Sequence, residues 1–255
     1  MPLQIVTVPC LQDNYAYLAH DPATGLTCVV DVPEAAPLLE ALASRGWGAD
    51  LVLLTHHHWD HVDGLADLCA HHTPRIAGAA ADAHRLPALD IALREGDHFT
   101  IGTAVGDVID VSGHTLGHIA VHFPGSSVVF TADSLMAMGC GRLFEGTPAQ
   151  MFDSLGKLTN LPPETLVCSG HEYTESNLRF ALTIEPESPA LRARAAEVAR
   201  LRAEGRPTVP STLAQEQATN PFLRAYIPEV KAAVGLSEAE DSEVFAALRA
   251  AKDRF

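Results

Sequence analysis

The stretch Leu51-Val52-Leu53-Leu54-Thr55-His56-His57-His58-Trp59-Asp60-His61 constrains the fold more than any other part of the chain. Its apolar half reads as a short strand buried on both faces. That strand delivers the chain into a segment carrying His56, His58, Asp60 and His61. Imidazole and carboxylate are the donors that zinc, iron and manganese favour. A run of near-adjacent donors cannot aim every side chain at one ion, so two ions with alternating ligands are expected.

Three more apolar runs repeat the arrangement. Val108–Val111 leads to His114, Val128–Thr131 to Asp133, and Leu166–Cys168 to His171. Ligands of layered α/β proteins gather beyond the carboxyl ends of strands. Four strand ends that each supply donors therefore predict one metal centre. The remaining histidines read differently. His20, His71, His72, His84, His98 and His122 are expected on the surface or in ordinary hydrogen bonds. His57 sits between donors and reads as a packing residue or one that supports a ligand, and His118, four residues after His114, as supporting or structural rather than a ligand.

Leu3–Val8 and Cys28–Val32 read as further strands, and Glu34–Ser44 and Gly64–Ala70 as helices, which together describe an α/β layered core. The pattern turns helical near residue 175. Ser188-Pro189 is a cap and first-turn pair ahead of Leu191, Ala195, Val198 and Leu201 at helical spacing. Thr212 and Gln215 form a capping box for a helix that stops before Asn220-Pro221, and Ser237 with Glu240 reads as a second box ahead of Val244, Phe245 and Leu248. The expected division is a metal-binding catalytic domain over 1–174 and a smaller helical domain over 175–255.

Charge and cysteine usage narrow the function. The chain has 32 acidic against 17 basic residues, a net charge of −15, so no broad grip on nucleic acid or anionic membrane is expected. Five dispersed cysteines with no C-x-x-C pair suit reduced thiols and a cytoplasmic location. MPLQIVTVPC does not resemble a secretory or transit signal, and no window has the apolar length of a membrane span. With no heptad pattern, a monomer is expected.

THHHWDHVDG resembles the T-H-x-H-x-D-H signature of the metallo-β-lactamase superfamily, and SGHTLGH, FTADS and SGHEYT resemble its later motifs. Other segments are similar to the hydroxyacylglutathione hydrolase (glyoxalase II) family within it. They are Cys140-Gly141-Arg142-Leu143-Phe144-Glu145-Gly146-Thr147, Asn220-Pro221-Phe222-Leu223-Arg224, and the ending Arg249-Ala250-Ala251-Lys252-Asp253-Arg254-Phe255. The resemblance implies an αββα sandwich with a smaller C-terminal helical domain. It implies His56, His58 and His114 on one metal, Asp60, His61 and His171 on the other, and Asp133 bridging. The ions would be divalent, zinc first, with iron and manganese suited to the same donors.

The resemblance also implies that Arg142, Tyr173, Arg249 and Lys252 hold glutathione, whose two carboxylates call for cations in an acidic chain. Some members carry Lys and Tyr where this chain has Arg142 and Phe144. Arginine keeps the charge, while phenylalanine loses a hydroxyl and with it about 0.5–1.5 kcal/mol of hydrogen bonding. Arg142 and Phe144 alternate and would share one side of an extended stretch. The implied reaction is hydrolysis of S-D-lactoylglutathione to D-lactate and glutathione, a step of methylglyoxal detoxification. A hydroxide shared by the two ions would be the nucleophile, with Asp60 and Asp133 the catalytic carboxylates. A lactonase, β-lactamase, phosphodiesterase or persulfide dioxygenase would share the signature. A non-catalytic metal-binding protein would be expected to have lost a ligand, and all seven are present.

Overall fold

The computed structural model describes residues 1–255. Two six-stranded sheets face each other. The first runs β1 (Gln4–Cys10), β2 (Asn14–His20), β3 (Thr27–Val30), β4 (Leu51–Leu54), β5 (Arg75–Ala79) and β6 (Ile91–Leu93), in that order. Its last four strands are parallel. They are linked through α1 (Ala35–Ala43) and through α2 (Trp59–Val62) with α3 (Leu65–Cys69). The second sheet contains β7 (His98–Ile101), β8 (Ala104–Asp110), β9 (Ile119–Phe123), β10 (Val128–Ala132), β13 (Leu166–Ser169) and β14 (Ser211–Thr212). A two-residue hairpin, β11 (Leu135–Met136) and β12 (Gly139–Cys140), stands apart from both sheets.

The period of two along each strand explains the layering. In β4, Leu51 and Leu53 point between the sheets, where they meet Val121, Phe123 and Phe130. Val52 and Leu54 point outward, against Leu38 and Leu42 of α1 and Leu65 and Leu68 of α3. The second sheet repeats the division. Phe130 faces inward, while Val129 and Val167 face α4 (Pro148–Thr159), packing with Met151 and Leu155. The result is helix, sheet, sheet, helix.

The C-terminal helices are α5 (Thr174–Ile184), α6 (Pro189–Ala203), α7 (Leu213–Thr219), α8 (Pro228–Ala233) and α9 (Asp241–Arg254). α5 and α6 share a small cluster of their own, Leu178 and Ala181 against Leu191 and Val198, which closes over Met138. Phe222, Val244, Phe245 and Leu248 join the cluster that includes Val129, Val167 and Met151, so the helical part rests on the outer face of the second sheet. β14, from the same part, pairs with β13. The Thr212–Gln215 box caps α7 as expected. The second expected box is corrected: α9 is capped by Glu240 with Glu243, not by Ser237 with Glu240. Residues 236–239 are taken up in a turn instead, with the Ala239 amide donating to the Leu236 carbonyl and Lys231 Nζ to the Ala239 carbonyl.

Candidate metal centre and substrate cavity

All four expected ligand-bearing strands end on one edge of the sandwich. β4 opens into Thr55-His56 and α2, β8 into His114, β10 into Asp133 and β13 into His171. The two sheets are stitched together at this edge: the Ile119 amide donates to the Thr55 carbonyl at 3.0 Å and the Tyr15 amide to the Gly170 carbonyl at 2.7 Å. At the end of β10 the register with β13 shifts, and Ala132 takes a left-handed φ of 39°. This kink turns the Asp133 carboxylate into the centre instead of along the sheet.

Four of the five candidate histidine ligands are aimed by a bond on the far nitrogen. His61 Nδ1 donates to Asp31 Oδ2 at 2.8 Å, His171 Nδ1 to Asp13 Oδ1 at 3.0 Å and His114 Nδ1 to the Arg142 carbonyl at 2.7 Å. Thr55 Oγ1 donates to Asp31, so His56 Nδ1 donates to Thr55 Oγ1 at 3.1 Å. Their Nε2 lone pairs are thereby left facing inward, which is how metal-ligating histidines are held. His58 presents Nδ1, 2.9 Å from His114 Nε2.

The inward atoms form two clusters, His56–His58–His114 and Asp60–His61–His171, with ligand atoms of each cluster within 4.8 Å of one another. Asp133 lies between them. Its Oδ2 is 3.5 Å from His114 Nε2 and 3.3 Å from His171 Nε2, and its Oδ1 is 3.5 Å from His61 Nε2. Asp31 also approaches His56 and His61. Its two oxygens are already committed to the Thr55 amide, the Thr55 hydroxyl and His61, so it orients rather than ligates.

The donor set fits a pair of cations. His56 Nε2, His61 Nε2 and Asp133 Oδ1 are buried without a hydrogen-bond partner. Each such atom costs about 1–3 kcal/mol if nothing occupies its lone pair. Charge points the same way. Burial and the neighbouring imidazoles hold His56 well below the usual histidine range, and burial with His114 brings His58 down to about 4. Burial works against the charge of Asp133, yet His171 and His61 hold its carboxyl well below the carboxylate range. His56 and His58 are thus held neutral and Asp133 ionised, as ligation requires, while Asp133 pushes His61 and His171 up against their burial, so that a bound cation would take the place of a proton on each. Two glycines make room: a Cβ on Gly141 would lie 1.9 Å from the Asp133 carbonyl oxygen, and one on Gly170 2.5 Å from Asp133 Oδ1.

His57 and His118 are not turned to the centre as donors. His57 Nδ1 binds Asp82 Oδ2 at 3.0 Å, in a network with Arg85 and Glu145. His118 stacks on His56, donates from Nδ1 to the Ile119 carbonyl and accepts the Asp133 amide on Nε2. Asp13, Asn14, Asp31 and Asp82 were missed by sequence reasoning. Asn14 Nδ2 donates to both the carbonyl and Oδ2 of Asp60. For Asp31 a signal existed, since it ends an apolar run as the other site residues do. Nothing local distinguished the other three.

A cavity of about 730 Å³ opens over the clusters and is lined by His58, Asp60, His114, Asp133 and His171. The same cavity receives Arg142, Phe144, Tyr173, Arg249 and Lys252. Arg142 and Phe144 do share a side, although residues 141–144 form no regular strand. Phe144 stands edge-on to His58 and His114, and Tyr173 stacks on His171 at 4.6 Å. Lys252 donates to Ser176 and lies over the rings of Phe180 and Phe255. Arg249 is unlike the others. It is buried, donates to the Cys140 carbonyl at 2.9 Å and to Asp253, and lies over the Phe222 ring. Ser176, Asn177, Asp253 and Phe255 complete that wall.

Comparison with known proteins agrees with this architecture. Residues 24–171 match the model of the metallo-beta-lactamase superfamily, and residues 172–255 that of the hydroxyacylglutathione hydrolase C-terminus. Proteins named hydroxyacylglutathione hydrolase from Ruegeria pomeroyi and Cereibacter sphaeroides are 62% and 63% identical over 255 residues, covering all of both chains. One from Rhodobacter capsulatus is 54% identical, again over all of both chains. Among solved structures, a protein crystallised in a di-iron-bound form has a TM-score of 0.61 at 27% identity, covering 86% of this chain and 100% of that one. ETHE1 from Myxococcus xanthus has a TM-score of 0.69 at 24% identity over 98% of this chain and 90% of that one, a likeness of fold. No helix is long and apolar enough to cross a membrane. With a centre built for two cations at the mouth of a sandwich and both parts of the chain matched, the protein belongs to the hydroxyacylglutathione hydrolase family of the metallo-β-lactamase superfamily.

Proposed function

We propose that the chain hydrolyses S-(2-hydroxyacyl)glutathione thioesters, with S-D-lactoylglutathione as the reference substrate. The observation that carries this reading is that one cavity holds both the paired ligand clusters and the cationic wall containing Arg142 and Lys252. In the proposed assignment His56, His58 and His114 hold one divalent ion, Asp60, His61 and His171 the other, and Asp133 is shared. The ions are zinc first, with iron or manganese suited to the same donors. When bound, they supply an activated water and polarise the thioester carbonyl.

The chain's own residues then position the reaction. Arg142 and Lys252 meet the glutathione carboxylates, and the Tyr173 hydroxyl is placed to bond the peptide part. Arg249, already tied to Cys140 and Asp253, acts mainly by setting that wall. Phe144 covers the edges of His58 and His114 and limits water there. Asp60, fixed by Asn14, orients the attacking oxygen. A carbon–oxygen bond forms, the carbon–sulfur bond breaks, glutathione leaves as thiolate and the acid product loses its proton. A thiolate needs no strong general acid to depart.

In this reading residues 1–174 carry the chemistry and supply Arg142 and Tyr173, and 175–255 complete the grip on glutathione with Arg249 and Lys252. The site is complete within one chain, which suits a monomer. The five unpaired cysteines suit the cytoplasm and a role in methylglyoxal detoxification. A lactonase would leave the Arg142–Lys252 wall without a purpose, and a nucleic-acid phosphodiesterase would call for more basic surface than a chain of net charge −15 offers. Thiol release from S-D-lactoylglutathione, measured beside opening of an N-acyl lactone, tests the assignment. Higher kcat/KM on the lactone would overturn it.

A further inference from the structure

The β11–β12 hairpin is turned inward, and every residue from Leu135 to Cys140 is buried. Turns normally lie on the surface because their backbone polar groups need partners. Here the partners come from the C-terminal helical part. Asn177 of α5 donates to the Ala137 carbonyl at 3.0 Å. Asn220 Nδ2 donates to the carbonyls of Met136 at 3.1 Å and Gly139 at 2.9 Å. The Met138 amide donates to Glu216 Oε2 of α7 at 2.6 Å. Glu216 has no solvent exposure and also accepts from Ser211 Oγ at 2.7 Å and Asn220 at 3.2 Å. Met138, a residue with a Cβ, is held at a left-handed φ of 51°. Such a conformation persists only where its surroundings over-determine it.

The other end of the hairpin enters the site. The Gly141 amide donates to the Ser134 carbonyl at 3.0 Å, beside Asp133. The Cys140 carbonyl takes the Arg249 guanidinium, and the Arg142 carbonyl takes the Nδ1 proton of His114. The chain segment that fixes the His114 ring therefore also carries the Arg142 side chain into the cavity, and its far end is anchored by Glu216 and Asn220.

We infer that Glu216 and Asn220 are positioning residues for the reaction: they lock the 135–140 hairpin in the register that sets the Arg142 carbonyl against His114 and the Arg142 side chain against the substrate. The inference rests on the proposed assignment of His114 to the metal centre and of Arg142 to glutathione. Loss of the lock misplaces both, so kcat falls and KM rises together.

The test uses the full chain, metal-loaded, as Asn220→Ala, Glu216→Gln and the control Val230→Ala. Val230 is buried in α8, in the same apolar cluster as Leu135 and Cys140, and its side chain makes no hydrogen bond to the hairpin, so its truncation lowers Tm through packing alone. Steady-state kinetics on S-D-lactoylglutathione are read beside the visible absorption of the cobalt(II)-substituted proteins, which reports ligand geometry without turnover. Asn220→Ala is expected to lower kcat/KM by about tenfold or more and to shift the cobalt bands, as loss of an orienting partner does. Glu216→Gln keeps an acceptor for the Met138 amide and is expected to fall between Asn220→Ala and wild type. Val230→Ala is expected to keep wild-type bands at a lowered Tm. Wild-type bands and kinetics in Asn220→Ala at a lowered Tm would overturn the proposal. Should Asn220→Ala not fold, the same outcome in Glu216→Gln overturns it. Absence of turnover in wild type would count against the thioesterase reading alone, since the cobalt bands still decide the role of the hairpin.

Discussion

The carbonyl of Arg142 lies 2.7 Å from Nδ1 of His114, so one residue both orients a candidate metal ligand and sends a cation into the substrate cavity. The two halves of the proposed chemistry are joined at that bond.

Asp133 touches donors of both clusters, so its loss removes the shared ligand. Asp133→Ala is expected to bind fewer than two ions per chain by elemental analysis. Thioester hydrolysis should fall by more than about 100-fold, beyond the range typical of outer-shell partners.

Asp31 holds His61 through Nδ1 and is itself fixed by Thr55. Asp31→Ala frees the His61 ring without removing a ligand. Chelator competition is expected to show metal affinity reduced by about 10–100-fold, with activity restored by excess metal. Affinity equal to wild type would contradict the orienting role.

Burial, with Arg249 and Arg179 nearby, brings the Lys252 ammonium down from 10.5 to about 8, while Asp253 opposes the shift. The charge is present below that pH and lost above it. For a substrate with two carboxylates, kcat/KM should therefore fall as pH rises through about 8, chiefly through KM. Lys252→Met should remove this limb and raise KM by about tenfold, the scale of one charge-assisted hydrogen bond. A pH limb unchanged in Lys252→Met would contradict the assignment.

No cysteine is poised as a nucleophile. Burial pushes the Cys140 thiol up to about 11 and the Cys10 thiol up to about 12, and it raises Cys28, Cys168 and the half-buried Cys69 as well. Iodoacetamide at pH 8 is expected to leave turnover intact, with mass spectrometry finding Cys69 as the first site modified. Inactivation in step with labelling of Cys140 would contradict a metal-based mechanism.

Much of the centre was legible because the signal was local and repeated. Leu51–Leu54, Val108–Val111, Val128–Thr131 and Leu166–Cys168 each announce a strand, and each is followed within a few residues by a donor. What the sequence hid was non-local. Asp13 precedes, and Asn14 begins, a strand N-Y-A-Y-L-A-H that is buried throughout yet starts and ends in polar residues, so hydropathy alone does not mark it. Asp82 meets His57 only after β5 crosses the sheet. Ser237-x-x-Glu240 has the composition of a capping box, but Glu240 and Glu243 fill those roles three residues later. The inward hairpin at 135–140 is visible only once Glu216 and Asn220 are seen to satisfy it.

If thioester hydrolysis needs both ions, activity must follow their occupancy, and a metal titration under turnover reads the two together. Metal-free protein is reloaded stepwise while S-D-lactoylglutathione hydrolysis and bound metal are measured on the same sample. A two-ion mechanism gives negligible activity without metal and full activity as occupancy reaches about two ions per chain. Full turnover in the metal-free protein, or none at full occupancy, would contradict it.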